Sequence, residues 1–402
     1  MRSNEKGRAE GNFADQREVK TEGNFAAQRE VKAEKNFADE RKGQTFSRLT
    51  GEKAVNGKKR KVYIDVAKGF AILLVILGHM NRFFAYEGRL MQVVYSVQLP
   101  LFLIVGGYWM RVKDGESPGQ FFTKKFYRLL QPYFFYGFLS IIYAWPGNQE
   151  GFVHYFSGLL WGIGINDYLP NLPIWFLPMF FLANCWFYLA LLLGKKGRNL
   201  KEQLLLEAVA VAVLMAVGLI INDPFSRLPW GFELSLIIQG FFFAGHLWRI
   251  GEERFFPEGR VLAKQKRILV LMLLPAFVVW LICVRLNGRI DLNADWFGNT
   301  GLWSCYLAAF AGCYLLLFAA FLTAKCRPLA WIFSLFGENS MAIMAVHVPV
   351  LIWMDGVITP LMPQVIKENF MVKNWIGVSY SFVTISLLSL FAAMLLKKKK
   401  GV

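Results

Sequence analysis

A few ionisable side chains stand out against long apolar runs, and they set the chemistry this chain could do. The stretch YIDVAKGFAILLVILGHMNRFF, Tyr63 to Phe84, is apolar enough to cross a bilayer yet carries Asp65, Lys68 and His79. A charged group in that setting costs about 3 kcal/mol or more unless it is paired or used. Lys68 and His79 lie 11 residues apart, which on a helix brings them within about 20° of one face and about 16 Å apart along the axis. A neutral imidazole, with an ordinary pKa near ~6.5, suits general-base work, so His79 is either a candidate base or a histidine hydrogen-bonded inside a bundle. Asp65, one helical turn before Lys68, can neutralise that cation as a snorkelling pair. In GENSMAIMAVHVPV a second histidine, His347, lies about two turns beyond a capped helix start at Asn339 or Ser340. His154 and His246 fall near predicted segment edges, where water can serve them.

Cations and aromatics supply the remaining candidates. TKKFYRLLQPY puts Lys124, Lys125 and Arg128 on one basic turn before Pro132 loosens the helix. Lys68, Arg111, Lys125 and Arg128 can converge on a phosphorylated ligand or serve as headgroup anchors. VQLPLFLIVGGYWMR combines Pro100, which removes a backbone hydrogen bond, with Gly106 and Gly107, which permit close helix approach just before Tyr108. Trp175 in NLPIWFLPMFF has the position of an interfacial anchor.

The elements that must position these residues follow from composition. The chain has 402 residues, 55% hydrophobic and only 18% charged, with a mean hydropathy of +0.37, which excludes an ordinary soluble domain. Its net charge of +17 sits in short runs between apolar spans, the pattern of a protein meeting anionic headgroups rather than nucleic acid. The five cysteines show no CxxC spacing, so neither a disulfide framework nor a metal site is expected. Apolar windows of about 20 residues predict an all-α polytopic bundle of ten transmembrane helices, near residues 62–84, 91–111, 122–143, 172–194, 203–222, 232–250, 267–287, 302–324, 339–359 and 375–396. The aromatic connection 144–171 and the RPLAWIFSLFG stretch read as interfacial or re-entrant pieces.

Residues 1–61 form a basic tail with a repeat, GNFADQREVKTE then GNFAAQREVKAE then KNFADERKGQTF, and residues 397–402 a basic C-terminus. No apolar core region precedes residue 62, so no cleavable signal peptide is expected. With ten spans every strongly basic connection falls on one side. The positive-inside rule makes that side, and both termini, cytoplasmic.

Five stretches in order, IDVAKGFAILLVILGH, VQLPLFLIVGGY, KKFYRLLQPY, PIWFLPMFF and GENSMAIMAVHVPV, resemble the acyltransferase 3 family of ten-span membrane O-acyltransferases, especially its sugar O-acetylase-like branch. The resemblance covers most of residues 62–396. The family's Arg-x10-His pattern, which contributes a donor-side cation and the catalytic histidine, maps onto Lys68 and His79, and its Ser-Gly-Tyr onto Gly106-Gly107-Tyr108. Lysine in place of arginine offers a point charge where a bidentate fork is usual.

The resemblance implies acyl transfer, most simply of acetyl from cytosolic acetyl-CoA, to a hydroxyl of a cell-envelope saccharide or glycolipid, with no metal and no permanently bound cofactor. It implies a multi-pass protein of the plasma (inner) membrane. Lys68, Arg128, Lys125 and Arg111 would face the acyl-CoA donor, with Tyr108, Trp175, Asn339, Ser340 and His347 as acceptor-site or structural residues. The competing readings are a lipid-linked saccharide transporter or flippase, and a non-catalytic membrane partner that keeps the fold. No internal repeat among the spans favours the transporter.

Overall fold

The computed structural model describes residues 53–55, 58–84, 88–144, 151–162, 169–223, 227–255, 263–361 and 382–395. The 12-residue repeats and the terminal lysines lie outside these residues. A small antiparallel hairpin, Lys53–Val55 with Lys58–Arg60, leads into an all-helical bundle. Its helices are α1 (Val62–Phe84), α2 (Arg89–Trp109), α3 (Pro118–Lys125), α4 (Gln131–Ala144), α5 (Gly151–Trp161), α6 (Phe176–Gly194) and α7 (Leu200–Ile221). There follow α8 (Phe232–Ile237), α9 (Gln239–Phe255), α10 (Ala263–Leu271), α11 (Leu273–Asn287), α12 (Leu302–Thr323), α13 (Arg327–Glu338), α14 (Ser340–Leu361) and α15 (Phe382–Leu395).

Among the described residues six helical stretches are long and apolar enough to cross a membrane, and a seventh if α13 and α14, bent by 77° at their junction, count as one. The chain is a multi-pass membrane protein. Three of the ten expected spans are helical but are not among these stretches. The segment at 122–143 is α3 and α4 joined through a π-helical turn, Phe126–Leu130. Pro132 explains the turn: it offers no amide hydrogen and its ring crowds the carbonyl of Arg128, which a wider turn relieves. The segment at 232–250 breaks between α8 and α9. There Gln239 turns its side-chain amide back to Ser235 O at 2.6 Å and across to Ala183 O at 3.2 Å, satisfying carbonyls at the break. Of the segment at 375–396, the described residues form α15.

Glycines set the two closest crossings. On α2 a Cβ at Gly107 would fall 1.9 Å from Phe242 O of α9, and one at Gly245 of α9 would fall 1.8 Å from Ile104 O, so the two backbones touch. The α1–α13 crossing is built the same way, with Gly69 against Phe333 O and Gly337 against Asp65 O. Helix α1 is consequently enclosed by α2, α12, α13 and α14, and Ile64, Ala67, Ala71, Ile72, Ile76 and Met80 are buried around it. Helices α7 and α11 are the opposite case. Only 17% and 11% of their apolar windows are buried, leaving Leu205, Val209, Val213, Leu274 and Leu281 facing outward as lipid-exposed surface.

The connections gather at two ends. At one, Lys195 meets Asp114 at 3.2 Å, Arg111 meets Glu253 at 2.5 Å and Lys124 meets Glu116 at 2.6 Å. Hydrogen bonding from Lys124 holds the Glu116 carboxyl below the usual carboxylate range. At the other, the indoles of Trp161 and Trp230 donate to Arg227 O and Leu160 O, and Arg227 donates to Asn293 O at 2.8 Å. This segregation of alternate connections is what successive traverses of a bilayer require.

Candidate active site

His79 and His347 come together in the middle of the bundle. Each ring bonds back to its own helix, His79 Nδ1 to Val75 O at 2.8 Å and His347 Nδ1 to Ile343 O at 3.0 Å. A carbonyl can only accept, so each Nδ1 carries the proton of its neutral ring. His347 Nε2 is then unprotonated, and it faces His79 Nδ1 at 3.4 Å. The His79 proton is aimed at two acceptors, and Nε2 is left as that ring's basic nitrogen. His347 is wholly buried, whereas His79 is half-buried and lines a cavity. The rings meet edge to face, with centroids 5.0 Å apart.

That cavity, of about 110 Å³, lies toward the end opposite the basic connections. Around His79 it is lined by Tyr95 and Gln98 of α2, Trp175 from the turn before α6, and Arg289 and Asp291 from the connection between α11 and α12. Arg289 pairs with Asp291 at 3.2 Å and lies 4.6 Å over the Tyr95 ring. Trp175 is 7% exposed and faces this cavity. Asn171, just upstream, ties that turn to α14 by donating to Ala345 O at 2.6 Å.

The basic end is organised differently. Lys68 bonds Asp65 at 2.5 Å, Arg111 bonds Glu253, and Lys125 donates to Asn184 of α6 at 2.5 Å, while Arg128 is exposed on the π-helical turn. Each of the first three thus has its own partner, on the same helix for Lys68 and on another element for Arg111 and Lys125. Glu252, which sequence reading passed over, joins this end: Tyr63 and Tyr108 both donate to its Oε2, at 2.8 and 2.6 Å, and Lys61 pairs with Oε1 at 2.8 Å. Its signal was an acidic pair in an otherwise basic stretch, RIGEER.

Elsewhere Asn339 sits at the α13–α14 break. Its side chain donates backward to Leu335 O at 2.7 Å, while its carbonyl accepts from Ile343 to begin α14 at Ser340. His246 is not at an edge served by water: it is 5% exposed, 3.1 Å from Glu207 and 3.0 Å from Arg249. His154 lies on α5, remote in sequence from both ends of the histidine pair.

The arrangement can do one kind of chemistry well. A hydroxyl in the cavity can give its proton to His79 Nε2, and the imidazolium so formed keeps two acceptors at Nδ1, one of them a neutral imidazole that adds no like charge. The acyltransferase 3 family model, described as an acyltransferase domain, matches residues 61–397, more than four-fifths of the chain. No curated protein and no solved structure matches it. With a membrane-spanning bundle, a histidine pair of which His79 lines a cavity, and that match over nearly all of its helices, the chain belongs to the acyltransferase 3 family of membrane acyltransferases.

Proposed function

We propose that the protein is an O-acyltransferase, in its simplest form an O-acetyltransferase, that moves an acyl group from acyl-CoA to a hydroxyl of a cell-envelope saccharide or related acceptor. The observation that carries this reading is His79 Nε2 as the basic nitrogen of a histidine pair, beside a cavity at the end of the bundle opposite the basic connections. The positive-inside rule puts the basic end, with both termini, in the cytoplasm and the cavity on the outer face of the inner membrane.

Donor and acceptor then approach from opposite sides. The nucleotide of acyl-CoA is held among Lys68, Arg111, Lys125 and Arg128, and its pantetheine arm carries the thioester toward His79, about 16 Å deeper along α1. His79 Nε2 takes the proton of the acceptor hydroxyl as its oxygen bonds to the acyl carbon. The carbon–sulfur bond breaks, and the departing thiolate receives that proton from the imidazolium. His347 holds the ring in the reactive tautomer and accepts the Nδ1 hydrogen throughout.

The test is transfer by purified protein in proteoliposomes supplied with labelled acetyl-CoA and envelope saccharide from a deletion strain. The expected result is free CoA and ester-linked acetyl on the saccharide in equal amounts. A transporter would move the saccharide and leave acetyl-CoA intact.

A further inference from the structure

Gln98 is the anomaly of the cavity. It is 3% exposed, lies on α2 within the membrane, and its Oε1 has no hydrogen-bond partner among the described residues. An unmatched amide oxygen in a low-dielectric interior is costly and calls for an explanation. The surrounding structure makes room for it. A Cβ at Gly78, the residue before His79, would meet Gln98 Oε1 at 2.8 Å and the Tyr95 ring at 3.3 Å. Glycine there lets the amide lie against the backbone that presents the base, and both Gln98 and His79 line the same small cavity.

We propose that Gln98 is the acceptor-positioning residue. Its side-chain amide meets a second hydroxyl of a polyhydroxylated acceptor, Oε1 turning from the Gly78 backbone to accept it, while His79 takes the proton of the reacting one. The cavity's chemistry fits that ligand class. Trp175 and Tyr95 offer flat apolar faces to a sugar ring, and the Arg289–Asp291 pair at the rim offers donors and acceptors to its outer hydroxyls. A mono-alcohol, lacking the second hydroxyl, leaves Gln98 unmatched and is discriminated against, as happens wherever a buried polar group is built to meet a substrate hydroxyl.

This inference rests on the acyltransferase reading for its reaction but not for its binding, and the experiment separates the two. Full-length protein in detergent is titrated with methyl glucoside and with cyclohexanol by saturation-transfer NMR, and acetyl transfer from acetyl-CoA to each is measured in parallel. The wild type is expected to bind and acetylate the glucoside in preference to cyclohexanol. Gln98→Met, close in shape but without an amide, should weaken glucoside binding about tenfold and leave cyclohexanol binding within twofold. Gly78→Ala, which displaces the amide without removing it, should act in the same direction.

Equal affinity of wild type and Gln98→Met for the glucoside overturns the proposal, as does failure of the wild type to bind it. An equal loss for both ligands shows a merely structural glutamine and also overturns it. Glucoside binding that depends on Gln98 without any acetyl transfer supports the positioning role and refutes the acyltransferase reading alone.

Discussion

Lys68 shows how much one side chain can alter a binding site. A lysine ammonium holds a phosphate as a point charge, without the paired, directional bonds of a guanidinium, and here it is already bonded to Asp65 at 2.5 Å. Under the proposed function, donor binding must therefore compete with that pair. Lys68→Ala and Arg128→Ala are expected to raise the KM for acetyl-CoA about tenfold with kcat little changed, because each removes a cation from binding rather than from the reacting atoms. Lys68→Arg should restore or lower KM. Unchanged donor KM in both alanine variants would make these residues headgroup anchors. At this scale sequence singled out both histidines, since ionisable groups in apolar runs are conspicuous. It could not show that they touch, because 268 residues separate them. Gln98 and Arg289 gave no such signal, and Glu252 only an acidic pair in a basic stretch, because their importance lies in what the fold brings beside them.

Among the elements, the closest packing is where two glycines face backbone. Gly107→Val and Gly245→Val would drive side-chain carbon into Phe242 O and Ile104 O, separating α2 from α9 at a cost of about 3 kcal/mol. Both variants should lose most folded protein in detergent, as read by size-exclusion chromatography. Gly106→Ser, in contrast, meets only side-chain atoms, of the Phe180 and Phe242 rings, rather than backbone, so a smaller loss is expected. Equal losses at all three positions would contradict this account of the crossing. Sequence anticipated the glycine pair on α2 because small residues in an apolar helix mark close approach, but it could not supply Gly245, whose role depends on which helix α2 meets. The breaks at Phe126–Leu130 and at α8–α9 were hidden for a related reason: hydropathy averages over them.

The connection around Asp295 makes a further element-scale prediction. Arg227 lies 2.6 Å from Glu233 and 3.0 Å from Asp295, one guanidinium between two buried carboxylates, while its Nη1 holds Asn293 O of the cavity's rim. Burial raises the Asp295 carboxyl to about 7; Arg227 opposes that rise and Glu233 adds to it. A carboxyl whose pKa is raised by folding stabilises the folded state while it keeps its proton, and that contribution is lost as pH rises through about 7. Thermal unfolding in detergent should therefore show stability declining from about pH 4 to about pH 7 and levelling above, and Asp295→Asn should flatten the decline. The same slope in the variant would place the titration elsewhere.

At the scale of the whole molecule, the account divides the bundle into a basic end for the donor and a cavity end for the acceptor, with α1 running between them. Cysteine-accessibility labelling checks the orientation: a cysteine introduced at Gln149 should react from outside intact cells, and one at Lys400 only after permeabilisation. The reverse pattern would invert the donor and acceptor faces. The central claim is that His79 supplies the base where these two routes meet. It is tested most directly by acetyl transfer in proteoliposomes containing His79→Gln, which keeps a hydrogen-bonding side chain of similar reach but cannot take a proton at neutral pH. The account predicts normal insertion, unchanged acetyl-CoA binding and a fall in transfer of about 10²–10⁴-fold. Transfer by the glutamine variant at near wild-type rate would contradict it.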